Sequence, residues 1–136
     1  DLGFEDALVD FIHYPVKAAR PYVVAANPEL VNRIAGEDMM RGCTIAANGF
    51  YGPQGRVLRC DLAVKEINDL ITDFRYEGQR ITNYEMEGSA IAGLSLLMGH
   101  KAMTVCCVIA QRKVEAANTD YKPRIKQLVQ TVLERI

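Results

Sequence analysis

The sequence predicts an α/β fold, and three features carry the prediction. Apolar runs of strand length, at residues 43–47 and 103–110, alternate with segments whose apolar residues recur at helical spacing. Helix punctuation falls between them, with Asp61 and Pro123 at helix starts and Gly99 at a helix end. Residues 103–110 are almost continuously apolar, as in a strand covered on both faces. Alternation of this kind gives a sheet flanked by helices, with ligand contacts at strand ends.

In chain order, residues 17–36 read as mostly helical, with Pro21 early and Asn27-Pro28 restarting or kinking the segment. Residues 43–47 form a buried strand running into Asn48-Gly49 and a Gly/Pro-rich loop that ends at Arg56. A short strand is expected at 57–60. Asp61 then caps a helix over 62–74, with Leu62, Ile67, Leu70, Ile71 and Phe74 as its apolar stripe. Residues 81–84 make a short strand that delivers Glu85 and Glu87. A helix rich in small residues follows over 88–98 and stops at Gly99. Beyond the 103–110 strand, residues 111–120 form a polar loop, a candidate lid. Pro123 opens the last helix, whose buried stripe is Ile125, Leu128, Val129, Val132 and Leu133. There is no internal repeat and no low-complexity segment.

The chain has 136 residues, 49% of them hydrophobic, enough for a substantial core. A net charge of -1 with interspersed signs leaves no electrostatic footprint for nucleic acid. No apolar run approaches the ~20 residues of a membrane span, and no signal-peptide pattern opens the chain. Its start at Asp1-Leu2-Gly3, without Met, fits a fragment. Cys43, Cys60, Cys106 and Cys107 form no CxxC pair and read as small buried hydrophobes, reduced as in a cytoplasmic protein. His13 and His100 lack metal-ligand spacing, so no metal is expected.

Two short segments carry the chemistry. In Asn83-Tyr84-Glu85-Met86-Glu87-Gly88, Glu85 and Glu87 share a face if the backbone is extended and diverge if it is helical. A carboxylate only accepts hydrogen bonds, so one at a helix entrance can hold both hydroxyls of a vicinal diol. The plainer reading is an acidic helix start with Met86 in the core. In Phe50-Tyr51-Gly52-Pro53-Gln54-Gly55-Arg56, an aromatic, an amide and a guanidinium share one loop. Phe50 can pack on a planar ring, Gln54 offers a donor and an acceptor, and Arg56 offers donors only. The edge of uracil, with two carbonyls and one N–H, matches that pair. The plainer reading is a surface turn.

Together and in this order, the segments resemble the nucleoside phosphorylases, most closely their uridine-specific branch. The family's FYxxQxR base loop stands here as Phe50 to Arg56, and its EME ribose motif as Glu85-Met86-Glu87. Val108-Ile109-Ala110-Gln111-Arg112 is similar to the strand that closes over the base, and the likeness extends loosely from about Asp10 to the C-terminus. Gly52-Pro53 replaces the more common Pro-Gly, which keeps Gln54 and Arg56 in register.

The resemblance implies a three-layer sandwich around a mixed sheet, phosphorylase/hydrolase-like, with residues 1–136 the C-terminal portion of a single domain. The family's glycine-rich phosphate loop and phosphate arginines belong to the N-terminal half. It also implies reversible phosphorolysis of a nucleoside, with inorganic phosphate as co-substrate and no other cofactor. Glu87 would hold the ribose hydroxyls, Met86 pack on the sugar, and Glu85 support their placement. Phe50, Gln54 and Arg56 would take the base, Arg56 also stabilising the departing ring, with Ile109 and Arg112 closing over it. Family members are homo-oligomers, hexamers or dimers. Purine nucleoside phosphorylases share the architecture but usually place an aspartate where Ala110-Gln111-Arg112 has none. A nucleosidase, using water in place of phosphate, and a non-catalytic nucleoside-binding or storage protein stay open as alternatives.

Overall fold

A computed structural model describes residues 1–15, 17–111, 116–117 and 119–136. It is an α/β fold with a mixed central sheet and flanking helices, in keeping with the predicted class. Helix α1 (Leu2–Phe11) begins at Asp1, whose side chain accepts from the Phe4 N–H. This helix has no counterpart in the sequence reading. Helix α2 (Pro28–Ile34) has Asn27 as its N-cap, the side chain accepting from the Leu30 N–H, with Pro28 in the first turn. The restart at Asn27-Pro28 is therefore present.

The helix expected over the rest of 17–36 is absent. Residues 21–27 and 35–36 carry no regular structure. Pro15 and Pro21 fix φ without donating, and Arg20 and Asn27 each precede a proline, which biases them away from helix. Tertiary contacts hold the segment instead: the Val23 N–H donates to Glu5 Oε1 at 2.7 Å, and the Asn27 N–H to the Ala102 carbonyl at 2.8 Å.

Strand β1 (Cys43–Ala46) lies where it was expected, half-buried rather than fully buried. A 3-10 turn at Gly52–Gln54 lies inside the loop. The strand predicted at 57–60 is not formed: those residues are exposed and bent. Helix α3 (Ile67–Asp73) is shorter than predicted, starting at Glu66 with no side-chain cap, so Asp61 is not its cap. Strand β2 (Arg75–Tyr76) turns back through Glu77 and Gly78 into β3 (Gln79–Glu85). Both turn residues have positive φ, 47° and 76°, as a two-residue type I′ hairpin needs. The sheet order is β1-β3-β2, with β1 parallel and β2 antiparallel to β3.

Helix α4 (Gly88–Leu97) follows directly, and the His100 N–H closes its end on the Ser95 carbonyl at 2.7 Å. The strand predicted at 103–110 is not formed: sheet pairing begins at β4 (Ala110–Gln111), antiparallel to β5 (Ala116–Ala117). An apolar run becomes a strand only beside a paired neighbour. Among the described residues the three-stranded sheet ends at β1. Part of the predicted 111–120 loop is thus strand, and its residues 112–115 and 118 lie outside the described residues. Helix α5 (Lys122–Arg135) is present, but its stripe is only partly covered: Leu128 and Val132 are half-buried, while Ile125, Val129 and Leu133 are exposed. The short α2 is the helix packed against it, and Arg135 ties the two ends by donating to the Ile34 carbonyl at 2.9 Å.

The core gathers Phe4, Leu8 and Ile12 of the first helical segment, Ile71 and Phe74 from α3 and its end, and Ile81 of β3. Phe4 and Phe74 meet edge-on at 5.2 Å between centroids. The cysteine expectation fails in part: Cys60 and Cys106 are exposed, Cys43 and Cys107 are half-buried, and all four thiols are free. Among the described residues, no helix is long and apolar enough to cross a membrane.

Candidate functional site

Parallel pairing of β1 with β3 brings the two motif segments together. Ala46 stands opposite Glu85 in the register, and the Ala47 N–H donates to the Glu85 carbonyl at 2.8 Å. The 50–56 loop and the 85–87 segment therefore leave adjacent strands at the same, carboxyl end. Open α/β sheets place ligands at that end. Between the strands Asn83 Nδ2 donates to Thr44 Oγ1 at 2.7 Å, and along β3 Thr82 Oγ1 donates to Asn83 Oδ1 at 2.9 Å, fixing the approach to Glu85. The Cys106 thiol lies beside Asn83, Thr44 and Glu85. Although the residue as a whole is exposed, desolvation of the thiol by these neighbours pushes it up from the ordinary thiol range, opposed by hydrogen bonding to Asn83.

The two acids of the second motif do different things. Glu85 ends β3, and its Oε2 accepts from the Glu87 N–H at 2.8 Å and from the Gly88 N–H. It thus satisfies two of the donors that open α4. Its Oε1 is buried without a hydrogen-bond partner among the described residues. Glu87 occupies the N-cap position of α4, yet its side chain makes no cap bond, and the residue is exposed. The helix-start role that sequence assigns to either acid belongs to Glu85. Since the strand ends at Glu85, the extended backbone that would align the two carboxylates is not present. Met86, between them, is 41% exposed and not in the core.

In the other loop, the N–H groups of Gln54 and Arg56 both donate to the Tyr51 carbonyl at 3.0 Å. Pro53 sits in the 3-10 turn, so the Gly52-Pro53 order suits a turn that needs no N–H from that position. Arg56 Cζ lies 3.7 Å from the Phe50 ring centroid, and Phe50 meets Tyr51 edge-on at 5.2 Å. One face of the Phe50 ring is thus covered by the Arg56 guanidinium, a cation–π contact that also orients Arg56. Gln54 is only 3% exposed. Gly55 has φ 71°, and a Cβ there would lie 2.3 Å from Asn68 Nδ2. The loop can approach α3 this closely only with glycine at 55.

Asn68 and Tyr84 were not singled out by sequence. Asn68 Nδ2 donates to the Gln54 and Gly55 carbonyls at 3.4 and 3.5 Å, and its Oδ1 accepts from the Tyr84 hydroxyl at 2.9 Å. The available signal was an amide set between Ile67 and Leu70 in an otherwise apolar stripe. Ile109 is 41% exposed just before β4, and Arg112 lies outside the described residues. A cleft of about 1740 Å³ borders both segments through Tyr51, Arg56, Gly88 and Ser89. It is wider than the ~300–1,000 Å³ of most small-molecule sites, and Phe50, Gln54, Glu85, Met86 and Glu87 do not line it. Of the motif residues, Tyr51, Gly52, Pro53, Arg56 and Gly88 line it.

The chain belongs to the Phosphorylase superfamily, whose family model matches residues 3–135. It is similar to Uridine phosphorylase A of Schistosoma mansoni, with 40% identity over 73 residues. That match takes in 52% of this chain and only 24% of the relative's length. No solved structure matches the chain with significance.

Proposed function

We propose that the full-length protein catalyses reversible phosphorolysis of uridine, a pentosyl transfer from uracil to phosphate. The observation that carries this reading is the emergence of the Phe50–Arg56 and Glu85–Glu87 segments side by side from parallel neighbours. Their similarity to a uridine phosphorylase adds to it. A phosphate oxygen attacks C1′ as positive charge develops there. The C1′–N1 bond breaks, its electron pair leaves with the uracil, and ribose 1-phosphate forms. Gln54 and Arg56 hydrogen-bond the base, bonds that strengthen as negative charge enters the ring. Glu87 holds the ribose hydroxyls, Met86 packs on the sugar, and Glu85 acts by fixing the backbone that carries both. Phe50 steers Arg56, while Ile109 and Arg112 close over the base. The reading includes a homo-oligomeric, cytoplasmic protein. The exposed Ile91, Leu94 and Leu97 share one face of α4, in keeping with a covered face in an assembly.

The decisive experiment follows uracil release from uridine by the full-length protein with and without phosphate. Release only with phosphate, accompanied by ribose 1-phosphate, is expected. Release without phosphate would make the protein a nucleosidase, and no turnover with tight uridine binding would make it a binding protein. Within the phosphorylase reading, Gln54→Ala and Arg56→Ala are each expected to lower kcat/KM for uridine severalfold. A lost hydrogen bond costs ~0.5–1.5 kcal/mol, and more where charge develops. Near-wild-type uridine kinetics in both variants would remove the loop from the base site.

A further inference from the structure

We propose that Asn68 is a positioning residue that sets the base loop against the ribose segment; this rests on the function proposed above. The two backbone carbonyls it faces, those of Gln54 and Gly55, can only accept hydrogen bonds. The Asn68 amide must therefore turn its NH2 toward them, which aims Oδ1 at the Tyr84 hydroxyl, 2.9 Å away. Tyr84 is the residue before Glu85, and Glu85 Oε2 in turn holds the Glu87 N–H. One line of contacts thus runs from the Gln54–Gly55 backbone through Asn68 and Tyr84 to Glu85 and Glu87. It spans the two segments that must hold the two ends of one nucleoside. The approach is close enough that a Cβ on Gly55 would collide with the Asn68 amide. Asn68 itself touches no substrate in this arrangement: it acts through the register of Gln54.

Asn68→Asp tests this most sharply. It keeps an acceptor for the Tyr84 hydroxyl but sets a carboxylate oxygen against two carbonyls. In the full-length enzyme the expected result is a uridine KM raised ~2- to 10-fold, the size of one lost hydrogen bond. The phosphate KM and Tm should stay close to wild type. Tyr84→Phe, which removes only a hydroxyl, is expected to shift uridine KM in the same direction by less. In a Gln54→Ala background, Asn68→Asp should add less than ~2-fold, because coupled residues do not add. An unchanged uridine KM with a lowered Tm, or an effect that adds in full to Gln54→Ala, would overturn the proposal and leave the phosphorylase reading intact. If Gln54→Ala itself keeps wild-type uridine kinetics, the functional reading of the loop fails. Amide hydrogen exchange then tests the clamp by itself. Faster exchange at Gln54, Gly55 and Arg56 in Asn68→Asp, with the core unchanged, is the expected result, and unchanged exchange there would overturn it.

Discussion

Phe74→Ala is expected to cost ~3–5 kcal/mol of stability, the usual loss when a large buried ring is truncated. The Phe74 ring is 1% exposed and meets the edges of Phe4 and Phe11 at 5.2 and 5.6 Å between centroids. Its N–H also ends α3, donating to the Leu70 carbonyl at 2.9 Å. Truncation opens a cavity where α1, α3 and β3 meet. A domain has only ~5–15 kcal/mol in total, so the variant sits near the edge of folding. Phe74→Leu, which keeps most of the volume, should cost clearly less. The consequence reaches the candidate site, because α3 carries Asn68 and so the support of the base loop. Denaturant titration of both variants checks this. A loss below ~1 kcal/mol for Phe74→Ala would mean that the core is organised elsewhere.

Elements whose signals are local were legible in the sequence. The strand of residues 43–47, the Gly/Pro loop after it, the 88–98 helix with its Gly99 stop and the final helix opened by Pro123 all stand close to where they were expected. Each has its punctuation within a few residues. The failures lie where a signal depends on what comes to lie beside the segment. The run 103–110 has the composition of a buried strand, but Val108 and Ile109 are exposed and a ladder needs a paired neighbour. Residues 57–60, Val57-Leu58-Arg59-Cys60, are mostly apolar, yet they remain unpaired and exposed. In the 17–36 segment Pro21 and Pro28 bias Arg20 and Asn27 away from helix, so only the part after the Asn27-Pro28 restart is helical. The β2–β3 hairpin has a local signal too, Glu77-Gly78 between two short runs, but the first run, Arg75-Tyr76, is too short to read as a strand by periodicity.

The candidate site divides in the same way. The motif residues and their order were readable, because side-chain type and spacing carry them. Their division of labour was not. That Glu85 serves the backbone while Glu87 makes no cap bond depends on the chain turning at Met86. That Arg56 lies over Phe50 depends on the 3-10 turn between them. Asn68 reaches the loop across 14 residues of sequence and Tyr84 reaches Asn68 across 16, which no local pattern encodes.

Glu87→Gln is expected to lower kcat/KM for uridine ~10- to 150-fold in the full-length enzyme, the range of charge-assisted hydrogen bonds worth ~1.5–3 kcal/mol. The substitution keeps size and removes charge. A vicinal diol that met two acceptor oxygens then meets one acceptor and one NH2, so at least one hydroxyl is mismatched. The structure sharpens this test, because the competing role for Glu87 is already filled. The α4 entrance is held by Glu85 Oε2 on the Glu87 and Gly88 N–H groups, while Glu87 contributes no cap bond. Both Glu87 N–H and Glu85 survive in the variant, so the helix start should survive too. Only the favourable dipole contact of an exposed carboxylate is lost, at most ~1 kcal/mol. Glu85→Gln gives the opposite pattern: it weakens the cap, lowers Tm, and reaches catalysis through the displaced Glu87 backbone. Thermal unfolding and uridine kinetics on the two variants separate the roles. Wild-type turnover in Glu87→Gln with a lowered Tm would assign Glu87 to the helix start and remove it from the ribose site.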